Sequence, residues 1–166
     1  MVAKAKAVKT SRYKRYKDGL WLKSRYLLYR YWYKFLQYAE NDPQRTVDWS
    51  KYDGWGGAEV VTNQRFEDWW KDHWKELFAV KNETDSARYE IAHRKARAET
   101  IRIALLVYEH QDAGQYQDIY LKLQKRYKNL GSLDATLETK YANQHVKRYM
   151  QQAEGLLDQV CRGEFG

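Results

Sequence analysis

Apolar residues recur every three or four positions along most of the chain. Residues 19–40 show this spacing first, with one apolar side made of Trp21, Leu28, Trp32, Phe35 and Ala39. The same spacing predicts further helices over residues 65–79, 85–110, 115–129, 133–141 and 145–161. One proline and nine glycines leave few positions at which the chain turns. The pattern therefore predicts an all-α protein of five or six helices.

Aromatic residues dominate the region after the first predicted helix. Residues 44–64 are predicted to be a long loop with aromatic residues three positions apart, at Trp49, Tyr52 and Trp55, in which residues 58–61 form a short strand or begin a helix. We expect these rings to insert into the protein body, because exposing a tryptophan to water is costly. In the next helix, Trp69 and Trp74 cannot both share the face of Trp70. At least one of them is expected at an edge, where it would anchor a partner.

Positive charge is concentrated at the N-terminus. Residues 1–34 hold 11 Lys and Arg and a single acid, Asp18, which is a net charge of +10. Residues 35–166 hold 19 basic and 21 acidic residues, a net charge of −2. Such asymmetry is typical of proteins that bind nucleic acid or an anionic surface. Residues 1–17 are too polar to bury a core, so we predict a flexible arm there and one helical domain over residues 18–166.

Cations and tyrosines alternate within the predicted arm. Cations neutralise phosphates and release counterions, and tyrosine rings stack on unpaired bases or rest on sugars. The first predicted helix adds a basic stripe about 200° away from its apolar side. The predicted nucleic-acid contacts are Lys9, Arg12, Tyr13, Lys14, Arg15, Tyr16, Lys17, Lys23, Arg30 and Lys34. Two alternatives stay open: a solubilising tail, and an arm that pairs with an acidic protein.

The C-terminal third has the order of a helix-turn-helix within residues 115–162. A helix over 115–129 precedes a short helix over 133–141, and a turn at 142–144 leads into the last helix. The first turns of that last helix carry side chains able to read base edges: His145, Lys147, Arg148, Gln151 and Gln152. Any helical bundle produces a similar order, so a DNA-reading motif and an ordinary bundle both fit.

Catalytic and metal-binding patterns are weak. A di-iron helix bundle uses two Glu-x-x-His motifs. Glu90 and His93 form one such motif, and the sequence has no second one. Cys161 lies on an apolar helix and has only Arg162 as a basic neighbour, which is typical of a small buried residue. We therefore expect a binding protein rather than an enzyme, with no metal and no cofactor.

The single cysteine and the hydropathy indicate the compartment. One cysteine forms no internal disulfide, which suits a reducing cytoplasm. No apolar run approaches the roughly 18 residues that span a bilayer. The N-terminus is charged but lacks the apolar run of a signal peptide. We expect a cytoplasmic protein without membrane contact.

The end of the chain carries a pattern that resembles small uncharacterised proteins of phages and integrated elements. The resemblance covers about the last twenty residues and rests on His145, Val146, Arg148, Tyr149, Ala153, Leu157, Val160, Gly163 and Phe165. It implies a mobile-element context and assigns no role to any residue.

These observations favour a nucleic-acid-binding accessory or regulator of a phage or mobile element. Two rivals remain. The 15 Tyr and 7 Trp also suit a protein-binding inhibitor or adaptor that acts on a host defence or transcription complex. They suit equally a virion assembly protein that oligomerises through aromatic faces.

Overall fold

A computed structural model describes residues 14–16, 18–82, 84–92, 98–126 and 139–166. These residues form six α-helices and a three-stranded antiparallel sheet, so the predicted all-α class is confirmed. The helices are α1 (Tyr26–Asn41), α2 (Gly57–Asn63), α3 (Phe66–Leu77), α4 (Ala98–Glu109), α5 (Tyr116–Arg126) and α6 (Thr139–Cys161). The strands are β1 (Lys14–Arg15), β2 (Trp21–Leu22) and β3 (Ala79–Val80), in the order β1-β2-β3.

The first helix is shorter than predicted, because a hairpin precedes it. Asp18-Gly19 forms the turn between β1 and β2, with Gly19 at a φ of +85°. Asp-Gly is a strong hairpin signal, and here it outweighs the helical spacing. The strand alternation buries Leu22 completely and leaves Trp21 half-exposed. Trp21 is therefore a strand residue and not part of the core face of α1, which begins at Tyr26.

Helix α1 is the centre of the fold and packs against α2, α3, α4 and α6. The predicted core positions Leu28, Trp32, Phe35 and Ala39 are all buried. Because α1 has four neighbouring helices, its other sides are buried as well, and most of its tyrosines with them. The additional buried residues are Tyr29, Tyr31, Tyr33 and Leu36.

Residues 44–64 insert their aromatic side chains as predicted, although they are not one long loop. Tyr52 and Trp55 are buried and Trp49 is half-buried. The Tyr52 hydroxyl donates to the Val160 carbonyl at 2.6 Å and accepts from Trp32 Nε1 at 3.2 Å. A 3-10 turn and α2 form within this stretch. Helix α2 follows Gly56, whose φ of +95° favours glycine.

The tryptophans of α3 are all buried, so the prediction that one lies at an edge is wrong. Trp69, Trp70 and Trp74 are 0%, 8% and 8% exposed. The helix is covered on more than one side. Tyr33 of α1 lies 4.8 Å from the ring of Trp69, and Tyr16 of the hairpin lies 4.4 Å from the ring of Trp74.

The predicted helix over residues 85–110 is wrong in its first part, since residues 84–92 are not helical and α4 begins at Ala98. The backbone of this stretch bonds to other parts of the chain instead: Tyr89 N donates to Leu77 O at 2.9 Å, and Ala92 N donates to Phe165 O at 2.7 Å.

Helix α6 is continuous through residues 142–144, so the predicted turn does not exist and the helix-turn-helix prediction fails there. No glycine or proline interrupts this stretch, and its residues continue the helix. Residues 127–138, which hold most of the predicted short helix, lie outside the described residues. Helix α6 packs against α1, α4 and α5, and its buried side chains are Val146, Tyr149, Ala153, Leu156, Leu157 and Val160.

Candidate functional site

The predicted arm contacts are only partly described. Lys9, Arg12, Tyr13 and Lys17 lie outside the described residues. Lys14 and Arg15 form β1, so the last part of the predicted arm pairs with β2 in the domain. The register joins Lys14 to Leu22 and Arg15 to Trp21.

Tyr16 packs on the protein itself. Its ring lies 4.4 Å from that of Trp74, and burial raises the pKa of its hydroxyl. The Tyr16 ring is half-buried by this contact, and its stacking on bases or packing on sugars stays a prediction. The contact between Tyr16 and Trp74 anchors the hairpin to α3.

The predicted basic stripe of Lys23, Arg30 and Lys34 is not carried by one helix, because α1 begins after Lys23. Lys23 lies in the turn before α1 and pairs with Glu90 at 3.4 Å. Arg30 pairs with Glu67 of α3 at 3.5 Å, and Lys34 is half-buried with its ammonium 5.7 Å from the ring of Tyr38. Exposed ion pairs contribute little to stability, but they do balance charge locally. Two of the three cations, Lys23 and Arg30, are therefore paired with carboxylates, while Arg30 and Lys34 share α1.

Three carboxylates surround Arg45, in the loop after α1. Its guanidinium binds Asp42 at 3.2 Å and also Glu154 and Asp158 of α6. Burial opposes the charge of Arg45, yet the bond to Asp158 and the nearby carboxylates outweigh this and raise its pKa. The cluster is an internal clip between the loop and the second half of α6.

An open groove of about 650 Å³ beside this clip includes Cys161. The thiol is half-buried, and burial raises its pKa. A raised pKa keeps the thiol protonated near neutral pH, where a thiol is a weak nucleophile. The groove therefore lacks an activated cysteine.

The first half of α6 presents a different surface. Four of the five residues predicted to read bases are exposed: Lys147, Arg148, Gln151 and Gln152. The fifth, His145, is half-buried, and its Nδ1 is buried without a hydrogen-bond partner in the described structure. His145 therefore belongs to the edge of the core rather than to the exposed face.

Two further residues belong to this exposed face, Asn143 and Gln144. Sequence reasoning missed them because it assigned them to a turn. The signal that finds them is the unbroken helical spacing through residues 139–161. We call the six exposed residues the α6 face: Asn143, Gln144, Lys147, Arg148, Gln151 and Gln152.

Among the described residues, no carboxylate pairs with the cations of the α6 face. Residues 139–153 contain no Asp or Glu, and the two acids that follow, Glu154 and Asp158, are bound by Arg45. Within the described part of the chain, no carboxylate lies within 4.0 Å of Lys147 or Arg148. The Arg148 guanidinium lies 5.3 Å from the ring of Tyr149. In this they differ from Lys23 and Arg30, which pair with Glu90 and Glu67.

Helix α5 packs against α6 and exposes two more lysines, Lys122 and Lys125. Neither has a carboxylate partner among the residues that the structure describes. Sequence reasoning did not select them, although they alternate with the buried positions Ile119, Tyr120 and Leu123.

No protein-family model matches the chain, and comparison with curated proteins and with solved structures finds no match. The mobile-element context and the function therefore stay predictions. Helix α6 has 23 residues, and no helix in the described ranges has both the length and the apolarity needed to cross a bilayer.

Proposed function

We propose that the protein binds nucleic acid through the basic segment of residues 1–17. The observation that carries this proposal is the charge partition: +10 over residues 1–34 against −2 over residues 35–166. Seven of those cations fall within residues 1–17: Lys4, Lys6, Lys9, Arg12, Lys14, Arg15 and Lys17. Phosphate backbones attract such a segment irrespective of sequence, and each neutralised phosphate releases counterions.

The attachment of this segment supports the proposal. Its last residues are held by β1 and by Tyr16 on Trp74, so a polyanion bound by the segment would lie beside the folded domain. Lys23 and Arg30 contribute less than their positions in the sequence suggest, because Glu90 and Glu67 balance them.

The two rival functions, a protein-binding inhibitor or adaptor and a virion assembly protein, require aromatic side chains that a partner can contact. Most of that surplus is in the core, including Trp32, Trp55 and Trp69, each at most 1% exposed. The large exposed apolar side chains of the described residues are scattered over three helices: Leu27, Val60, Tyr116 and Leu121. Scattered apolar residues need no partner to explain them. Nucleic-acid binding, in a cytoplasmic protein of a mobile element, is the better supported proposal.

The test is a salt series with three neutralised arm residues, Lys6→Gln, Lys9→Gln and Arg12→Gln. Because each phosphate contact adds about 0.9 to the slope of log K against log salt, the slope should fall by about 2 to 3. Fluorescence anisotropy with labelled duplex and single-stranded DNA and with RNA measures this.

The matched control removes three exposed cations from the domain, with Lys51→Gln, Lys71→Gln and Lys81→Gln. The control should keep most of the affinity and the slope. Equal losses in both triple variants, or no salt-dependent binding by the unmodified chain, would contradict the proposal.

A further inference from the structure

We propose that the α6 face enters the major groove of duplex DNA and supplies a second contact in addition to that of the basic segment. This inference rests on the proposed function and deepens it, since it names the nucleic acid and a surface that reads it.

The dimensions of the α6 face suit a groove. At 100° per residue, Gln144, Arg148 and Gln151 lie within about 60° of one another, with Lys147 and Gln152 on either side. Gln144 and Gln152 are about 12 Å apart along the axis, at 1.5 Å per residue. The major groove of B-DNA is about 12 Å wide and admits a helix. Gly155 follows on the same side with open space at its Cβ position, so no side chain blocks the approach.

The chemistry of the α6 face also suits base edges. Its four amides each offer donors and an acceptor, and an amide can bond adenine at two positions. Arg148 can bond guanine O6 and N7, while Lys147 suits a phosphate. Residues 139–153 contain no acid, and the two acids that follow, Glu154 and Asp158, are partly exposed and contact Arg45.

The same surface is poorly suited to single strands and to RNA duplexes. Unpaired bases are held by stacking on exposed aromatic rings, and Tyr149, next to Arg148, is only 2% exposed. An A-form RNA duplex has a major groove too deep and narrow for side chains. Duplex DNA is the ligand that a rigid, polar helix face accepts.

The helix is held firmly enough to keep its face in place. Val146 and Ala153 are fully buried, and α6 packs against α1, α4 and α5.

The test uses the full chain and two double variants, Lys147→Gln/Arg148→Gln and Gln151→Ala/Gln152→Ala. The probes are duplexes selected from a random DNA library, the corresponding single strands, and duplex RNA. The first variant should weaken duplex DNA binding at least about tenfold and lower the salt slope by about 1, since Lys147 is the phosphate contact and Arg148 the base contact. The second should reduce sequence preference and leave the salt slope unchanged, because amides read bases and neutralise no phosphate.

The control is Lys71→Gln/Lys81→Gln, which removes two exposed cations from another surface. Circular dichroism checks that all variants keep their helix content. If the α6 variants bind duplex DNA as the control does while the arm variant is weakened, the inference is wrong and the proposed function stands. Equal losses for duplex and single-stranded DNA also overturn it. If the unmodified chain binds no nucleic acid, both proposals fall.

Discussion

The interior of this protein is built in two different ways. Around α1, α2 and α3 the core is aromatic, and its rings carry polar groups that must be bonded inside. Trp69 Nε1 donates to Trp55 O at 2.8 Å, and Tyr33 donates to Gln64 O at 2.6 Å. Around α4, α5 and α6 the core is mostly aliphatic, with Ile103, Leu123, Leu157 and Val160 fully buried or nearly so.

This difference explains where a ligand surface can arise. In the aromatic part, tyrosine and tryptophan are used for packing, and nearby cations such as Arg30 and Arg88 are balanced by carboxylates. In the aliphatic part, the outer side of α6 exposes amides and cations, and Lys147 and Arg148 have no carboxylate partner among the described residues. An aromatic-rich composition is therefore evidence for a core here, and the polar helix is the better candidate for recognition.

The two parts meet at α1 and at the end of the chain. Phe165 is fully buried and stacks on Trp32, with ring centroids 5.8 Å apart and an interplanar angle of 18°. Tyr52 connects the same region to the last turn of α6 through Val160 O.

The largest effect should follow from removing the ring that joins both parts. Trp32→Ala leaves a large cavity and deprives Tyr52 of a donor, so we expect a loss of roughly 4–5 kcal/mol in the free energy of unfolding. Leu157→Ala, in the aliphatic part, should cost roughly 3 kcal/mol. Urea unfolding followed by circular dichroism measures both. A larger loss for Leu157→Ala would show that the aliphatic part, not the aromatic part, dominates stability.

A smaller effect is expected at the hydrogen bond between the parts. Tyr52→Phe keeps the ring but removes the hydroxyl, which leaves the buried Val160 carbonyl without this donor and Trp32 Nε1 without an acceptor. The cost should be about 1–3 kcal/mol, measured by the same urea titration. Tyr38→Phe removes a hydroxyl that bonds the exposed Glu109 and is the control, with a smaller expected loss.

The smallest effect, and the one most specific to the aromatic part, is a dependence on alkaline pH. Burial raises the pKa of Tyr33 from 10.0 to about 12. The folded chain therefore keeps a proton that the unfolded chain loses, so this contribution to stability is present below pH 10 and is lost as the pH rises toward 12. The melting temperature of Tyr33→Phe should fall less steeply over this window. A slope identical to that of the unmodified chain would show that Tyr33 does not titrate differently in the two states.

Local patterns were sufficient for much of the helical fold. The spacing predicted α3, the second half of α6 and the core positions Leu28, Trp32 and Phe35, because the periodicity of a helix is a property of neighbouring residues. The dipeptide Asp18-Gly19 is a hairpin signal in the sequence, but the helical spacing of the following residues led to a predicted helix instead. The non-helical stretch 84–92 could not be predicted from local patterns, since its backbone hydrogen bonds go to Leu77 and Phe165.

The candidate site divides in the same way. By itself the sequence determined that positive charge is concentrated at the N-terminus and that the last helix begins with cations and amides. Only the tertiary structure decided which cations are balanced. Lys23 meets Glu90 across 67 positions of the chain, while Lys147 and Arg148 meet no carboxylate among the described residues. The physical reason is that electrostatic partners are chosen by distance in space, and a linear pattern contains only distance along the chain.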